Sequence, residues 1–179
     1  MLTNYGDFGA LQRITYGTLS STNIDITNIP QTFQDLMLVL YARTNASVST
    51  NSSIVYFNSD ANNTNYSRTN LQGNGSSASS SRDTNYAQLY YTDGMPGANT
   101  TSGIYLASTI HILNYANTST FKSLLIRSAA DLNGSGLTNL VAATWRSTSA
   151  INRITSAPTS GQFAAGSTFA LYGVRASAA

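Results

Sequence analysis

The sequence predicts an all-β domain, an antiparallel two-sheet β-sandwich of jelly-roll type. Ser, Thr and Asn account for 66 of the 179 residues, whereas the chain has no glutamate and a single lysine, Lys122. Ser, Thr and Asn disfavour helix interiors because their side chains compete for backbone hydrogen bonds, while Thr suits strands and Ser and Asn suit turns. Short runs of alternating apolar and polar residues, separated by turn clusters, repeat along the chain.

Length and composition predict one folded domain over residues 1–179, with a short N-terminal arm over about residues 1–11. Apolar residues make up 41% of the chain, as in ordinary globular domains, and the absence of cysteine excludes a disulfide framework. No run approaches the ~20 apolar residues that span a bilayer. The formal charge is +2 and the arginines are scattered, so neither nucleic-acid binding nor membrane insertion is expected.

Eleven strands are predicted from the alternation, a number typical of a sandwich. They cover residues 12–19, 22–27, 35–44, 53–58, 66–72, 86–92, 104–115, 121–130, 137–146, 151–156 and 168–174.

The third of these strands is apolar on both faces, which is typical of a central strand covered on both sides or pressed against a partner subunit. A short buried helix is the alternative, but Pro30 and the β-favouring neighbours favour a strand. We therefore expect Leu36, Leu38 and Leu40 in the core or at a subunit contact. Trp145 and Phe169 are also expected in the core.

Tight turns are predicted at three dipeptides that tolerate positive φ, namely Asn74-Gly75, Asp93-Gly94 and Asn133-Gly134. Two polar or Gly-rich segments, residues 58–83 and 93–103, are interpreted as exposed loops. The first of these segments is alternatively a pair of weak edge strands.

Three positions in these segments are the candidate display loops, Asn62, Ser79 and Asn99. The loops either face solvent, which we favour, or reach a neighbouring subunit. They are where host contacts would be sought if the chain binds a receptor.

The single histidine, His111, falls on the more polar face of the strand at residues 104–115. A structural, hydrogen-bonded role is favoured over that of a general base. The chain has no Gly-x-Ser-x-Gly motif, so a Ser-His-Asp hydrolase is not expected.

Paired-carboxylate catalysis needs two neighbouring carboxyl groups of different pKa. Only Asp60, Asp83, Asp93 and Asp131 occupy loop-like positions from which such a pair could form. Each lies beside Gly, Asn or Thr, where aspartate commonly forms turns. We expect no catalytic pair and no enzymatic activity.

Oxygen-bearing residues at Asp131, Asn133 and Ser135, followed by Gly136, reproduce the first half of a calcium-binding loop. The position of the closing bidentate carboxylate is occupied by Ala142. A turn between strands is therefore the favoured interpretation, and we predict neither a metal nor another cofactor.

Eleven tyrosines and one tryptophan allow a carbohydrate-binding platform. The same residues are common in sandwich cores, where their polar tips reach water or a carbonyl. Tyr90 and Tyr91 must point to opposite faces if they share a strand, so at most one of them could line a given surface.

Several sequence blocks, in this order, resemble a family of small β-domains found in the structural modules of tailed bacteriophages. The resemblance extends over nearly the whole chain. The blocks are IPQTF at 29–33, YFN at 56–58, LQGNGS at 71–76, HILNYAN at 111–117, FK at 121–122, DLNGSG at 131–136, WRSTSAI at 145–151 and GQFAAGSTFALYG at 161–173.

This resemblance implies a virion structural protein without catalytic residues, made in the host cytoplasm before assembly. A capsid decoration or cement protein is expected, because the domain starts almost at Met1 and no fibre shaft precedes it. A tail-associated adhesin or fibre-tip module that binds host surface glycans is the alternative. The implied partners are the major capsid protein or tail proteins. Scarce lysine leaves sheet edges poorly protected, which suggests a homo-oligomer such as a trimer.

Overall fold

The computed structural model describes residues 11–61 and 64–175, and all regular structure in that part of the chain is β-strand. No helix within these residues is long and apolar enough to cross a membrane. The strands are β1 (Leu11–Leu19), β2 (Ile24–Ile26), β3 (Asp35–Ala42), β4 (Thr50–Phe57), β5 (Tyr66–Gly73), β6 (Ala78–Tyr86), β7 (Leu89–Pro96), β8 (Leu106–Leu113), β9 (Lys122–Asp131), β10 (Gly136–Trp145), β11 (Ile154–Pro158) and β12 (Ser167–Val174).

Two antiparallel sheets pack face to face. The large sheet has eight strands in the order β1-β12-β3-β8-β9-β10-β5-β6, and the small sheet has four in the order β2-β11-β4-β7. Strand β7 of the small sheet packs across β9 and β10 of the large one. The predicted all-β, two-sheet sandwich is confirmed, and its jelly-roll character stays a prediction.

The hydrophobic core lies between the sheets, as alternation along the strands requires. Leu36, Leu38 and Leu40 are buried there, so the core of the chain itself covers them. Trp145 is also buried, as predicted, whereas Phe169 is only half-buried and packs against the edge of the core. Strand β3 is central, with β12 and β8 as its neighbours.

Strand β6 is not among the eleven predicted strands, although a pair of weak edge strands is the alternative predicted for residues 58–83. Its side chains are nearly all exposed, so it carries no apolar alternation. It pairs with β5 at the edge of the large sheet. The predicted turn at Asn74-Gly75 joins the two strands, and the Asn74 carboxamide accepts hydrogen bonds from the backbone N–H of Ser76 and Ser77.

The turn predicted at Asp93-Gly94 is wrong, because both residues lie within β7. The pairing of β7 with β4 is irregular here, with register shifts around Ser53. A Cβ atom at Gly94 would lie 2.8 Å from the Cβ of Leu137 in the opposite sheet. Glycine is therefore needed for close approach of the sheets, and not for a reversal of the chain.

Candidate functional site

The surface of the large sheet that points away from the small sheet is the candidate functional site, and we call it the outer face. It is built from rows of register partners that cross all eight strands. One row consists of Tyr16, Ala170, Val39, Thr109, Arg127, Leu140, Leu71 and Ser80. The next consists of Arg13, Tyr172, Met37, His111, Leu125, Ala142, Thr69 and Arg82.

Large apolar side chains are concentrated on the outer face. Nine such side chains are exposed within residues 11–61 and 64–175, and seven of the nine point from this face. Leu125 and Leu140 are each 44% exposed and Leu71 is 53% exposed, which is unusual for leucine in the middle of a sheet. The seven are Leu11, Tyr16, Tyr41, Leu71, Leu113, Leu125 and Leu140.

The outer face is broad and shallow. Seven strand spacings and three row spacings give roughly 34 Å by 20 Å, on the order of 700 Å². Two shallow depressions lie on it: one of about 570 Å³ beside Val39, Thr109 and Leu140, and one of about 430 Å³ beside Thr69 and Ala142. This shape suits contact with a large, gently curved partner better than enclosure of a small molecule.

Three exposed arginines on the outer face lack the polar partners that the other arginines have. Arg82 and Arg127 make no hydrogen bond or ion pair with any residue that the structure describes, and Arg13 lies over the ring of Tyr16 at 5.9 Å. The remaining five arginines each donate hydrogen bonds within the chain. They are Arg43, Arg68, Arg146, Arg153 and Arg175.

The predicted structural role of His111 agrees with its contacts. Its Nε2 lies 3.3 Å from Oδ2 of Asp35 on the neighbouring strand β3, and Asp35 also accepts a hydrogen bond from the backbone N–H of Asn114. No serine within the described ranges is hydrogen-bonded to His111. The pair therefore connects two strands of the large sheet and lacks the nucleophile of a triad.

Of the four carboxylates singled out as catalytic candidates, only Asp83 and Asp93 come together. Arg68 lies between them, with its Nε 2.5 Å from Asp83 and its Nη2 3.6 Å from Asp93. The adjacent crevice between Tyr86 and Tyr90 has no room for a water molecule. A guanidinium shared by two carboxylates, with no space for substrate, forms a structural ion cluster.

The other two candidates also have structural partners. Asp60 accepts a hydrogen bond from Nε1 of Trp145 at 2.7 Å. Asp131 accepts one from the backbone N–H of Asn133 at 2.9 Å, which forms a local turn. Asn133 and Gly134 have φ of 59° and 111°, so the predicted turn between β9 and β10 is confirmed.

No group of three or more His, Cys, Asp or Glu side chains is found in residues 11–61 and 64–175. Ala142, at the position of the closing ligand of a calcium loop, points from the outer face of β10. The half-pattern at residues 131–136 is accounted for by the turn alone.

The candidate display positions belong to different parts of the molecule. Asn62 lies outside the described residues. Ser79 is exposed, but it lies within strand β6 and not in a loop. Asn99 is exposed in the segment between β7 and β8, and its backbone N–H donates to the carbonyl of Val48.

The segment around Asn99 is anchored by the buried side chain of Arg43. Its guanidinium donates to the carbonyl oxygens of Gly97 at 2.7 Å, Thr100 at 2.9 Å, Thr101 at 2.6 Å and Ile104 at 3.3 Å. Four carbonyls bound by one buried cation order this loop. The loop was expected to be a plain solvent loop, and the sequence offered no signal that Arg43 would fix it.

Several ionisable groups are buried in the core. Lys122 donates to the carbonyls of Thr120 at 2.9 Å and Thr148 at 3.2 Å, and burial lowers the pKa of its ammonium group. Burial likewise raises the pKa of the phenols of Tyr66, Tyr91 and Tyr115. These groups face the protein interior, where no substrate could reach them.

The aromatic residues within 11–61 and 64–175 are divided between the core and the surface. Trp145, Phe57 and Tyr66 pack together in the core, with ring centroids 5.5 to 6.4 Å apart. Tyr91 is buried, whereas Tyr90 is half-buried and lies against Arg68.

The outer face was not found from the sequence. A signal existed, because Leu125 and Leu140 alternate with core residues that are themselves apolar. Alternation does not show which face is covered, however, and the rows depend on a register that only the structure supplies.

Comparisons of the chain with known protein families, with curated proteins and with solved structures found no match.

Proposed function

We propose that the chain is a non-enzymatic structural protein of a tailed-bacteriophage virion, a decoration or cement protein that docks on the capsid surface. The observation that carries this proposal is the outer face, with its seven exposed large apolar side chains. The ordered sequence blocks that resemble phage structural domains supply the biological setting. The protein would be made in the host cytoplasm and be found in the virion.

The size of the exposed surface supports a docking role. Exposed large apolar side chains grouped on one face of a soluble protein often mark a binding site. A typical protein–protein contact takes about 800 Å² from each partner, which is close to the extent of the outer face. A rigid sandwich keeps such a surface preformed, so little conformational entropy is lost when it binds.

The contacts of the ionisable residues support a role without catalysis. Asp60, Asp83, Asp93 and Asp131 each have a partner within the chain. His111 is paired with Asp35 on the neighbouring strand. These side chains stabilise turns and strand pairs, so a structural role accounts for all of them.

Self-association, with a trimer as the expected state, is part of the proposal. Edge strand β6 has nine residues, nearly all exposed, and contains neither lysine nor proline to discourage pairing with another strand. Sedimentation equilibrium of the purified chain tests this directly. A chain that stays monomeric and soluble at high concentration contradicts it.

Copy number and location in intact particles test the function. Cryo-electron microscopy of the virion, combined with quantitative mass spectrometry, is expected to show hundreds of copies in icosahedral order on the head. A few copies at the tail would contradict the decoration role. They would favour the alternative, an adhesin that binds host glycans, with the loop at Asn99 as the first place to examine. Complete absence from particles would overturn both.

A further inference from the structure

We propose that the outer face of the large sheet is the docking surface, and that it binds a protein whose own surface is apolar and carries exposed carboxylates. This inference rests on the proposed virion function and adds the face and the chemistry of the partner. It follows from two independent features that coincide on one side of the sandwich.

The first feature is the placement of the exposed apolar side chains. Leu140 and Leu71 are register partners on β10 and β5, and Leu125 on β9 is the diagonal neighbour of Leu140, so we call these three residues the leucine patch. Tyr16 on β1 and Tyr41 on β3 are also exposed on this face, and Tyr41 stacks on Tyr105 with ring centroids 4.4 Å apart. Burial of these apolar groups by a partner would favour binding.

The second feature is the charge. Arg13, Arg82 and Arg127 are the exposed arginines without a hydrogen bond or ion pair to any described residue, and all three are on the outer face. Two carboxylates among residues 11–61 and 64–175 share this face. Asp35 is paired with His111, and Asp131 accepts a hydrogen bond in its own turn. The face therefore offers three cations that a partner's carboxylates could neutralise.

This charge distribution argues against a second copy of the chain as the occupant. Two outer faces brought together would place six arginines in one interface with four described carboxylates, those of Asp35 and Asp131 from each copy, so positive charge would be in excess. Like charges opposed across an interface disfavour association. A partner with acidic groups around an apolar centre has no such penalty.

The residue types and their spacing favour a protein over other polyanions. Arginine and tyrosine are enriched in protein–protein interfaces and lysine is depleted. Register places Arg82 and Arg127 about 16 Å apart, across three strand spacings and one row, and Arg13 about 34 Å from Arg82, given strand spacings near 4.8 Å. Such wide spacing does not follow the closely spaced phosphates of a nucleic acid. Leucines, furthermore, offer no stacking surface for bases or sugars.

The test uses particles of the phage that encodes the chain, grown without its gene, to which purified chain is added. Bound copies are measured after sedimentation. We expect the wild-type chain to bind in stoichiometric amounts, Leu125→Ser/Leu140→Ser to bind at least tenfold less tightly, and Arg127→Glu to weaken binding several-fold. Raising the salt concentration should weaken wild-type binding more than binding of Arg127→Glu.

Matched control variants change exposed residues away from the outer face. Tyr86→Ser removes an exposed aromatic at the far end of β6, and Arg175→Glu reverses an exposed charge beyond β12. Both are expected to bind like the wild type. Circular dichroism and thermal melting of every variant establish that each one folds.

The outcomes separate the two proposals. Normal binding by both the Leu125→Ser/Leu140→Ser and Arg127→Glu variants would overturn this inference while leaving the virion function in place. If Leu125→Ser/Leu140→Ser lost binding while Arg127→Glu bound normally at every salt concentration, the inference that the partner carries carboxylates would be overturned. Sedimentation of the purified chain as an oligomer that the leucine substitutions dissociate would show a second copy on this face, and would also overturn it. A wild-type chain that does not bind the particles would overturn the virion function itself.

Discussion

The two faces of the eight-stranded sheet consist of the same strands and differ in what covers them. On β9, Ile126 is completely buried beneath the small sheet, while its neighbour Leu125 is 44% exposed on the outer face. Both residues are large and apolar. Hydrophobicity alone therefore does not determine how much a residue stabilises this chain. The contribution also depends on whether the residue faces the small sheet.

This difference separates two uses of apolar surface. Residues on the inner face lower the free energy of the folded chain as soon as the sheets pack. Leu125 and Leu140 on the outer face are each 44% exposed, so that part of their surface is removed from water only when a partner covers it. Substitutions on the two faces should therefore affect stability and binding separately.

The largest expected effect is on the inner face. Ile126→Ala should lower the free energy of unfolding by about 3 kcal/mol, because it leaves a cavity in a packed core. Leu125→Ala should change it by less than about 0.5 kcal/mol. Urea unfolding followed by tryptophan fluorescence measures both. Equal losses for the two variants would mean that the outer face is already covered in the isolated chain.

High pH provides a second contrast between interior and surface. Burial raises the pKa of the phenols of Tyr66, Tyr91 and Tyr115, whereas the phenols of the unfolded chain titrate near 10. Below pH 10 these phenols are protonated in both states, and their contribution to stability is complete. Above pH 10 the unfolded state loses protons first. The free energy of unfolding then falls as pH rises, by at most about 1.4 kcal/mol per pH unit for each phenol.

Substitution of single tyrosines tests this explanation. Tyr91→Phe should reduce the loss of stability between pH 10 and pH 11, and Tyr41→Phe, at an exposed tyrosine on the outer face, is the control. Lys122 acts in the opposite direction, because burial lowers the pKa of its ammonium group and stability rises until the unfolded lysine titrates near 10.4. Its contribution is the same in both variants and cancels in the comparison. Identical slopes for the two variants would contradict the assignment.

An exposed residue can still affect stability through the backbone. Asn133 is exposed, but it has φ of 59° in the turn between β9 and β10. Asn133→Ala should cost about 1 kcal/mol, because a Cβ-bearing side chain without a local hydrogen bond disfavours this conformation. Asn133→Gly is the control and should cost little. The measurement is again urea unfolding, and an alanine variant as stable as the glycine variant would contradict the argument.

Much of the fold was predictable because it depends on local patterns. Strands such as β3, β9 and β10 alternate strongly, and the turns at Asn74 and Asn133 carry their own residue signature. Strand β6 was not predictable, because its Ser-rich sequence pairs with β5 through the backbone and the Arg68–Asp83 ion pair. The prediction of a turn at Asp93-Gly94 was wrong because the glycine lies within β7, where it allows the two sheets to approach closely.

The outer face was not predictable because it depends on register and on the extent of the small sheet. Four strands cannot cover both sides of eight, so one side of the large sheet is exposed in the isolated chain. The sequence shows that Leu71, Leu125 and Leu140 are apolar residues within strands. It does not show that these leucines lie on neighbouring strands and point to the uncovered side.

The smallest expected effect on stability is also the most informative about the outer face. Leu140→Ser should lower the free energy of unfolding by less than about 1 kcal/mol, because the leucine is 44% exposed and its removal leaves no cavity in the packed core. The same variant should bind less of the dye ANS and be retained less on a phenyl resin. Val141→Ser, at the next position and fully buried, should instead destabilise the fold by several kcal/mol. If Leu140→Ser also destabilised the chain, the leucine patch would belong to the folded unit. If it altered only dye and resin binding, the patch is surface that the fold maintains without using it, as a docking face requires.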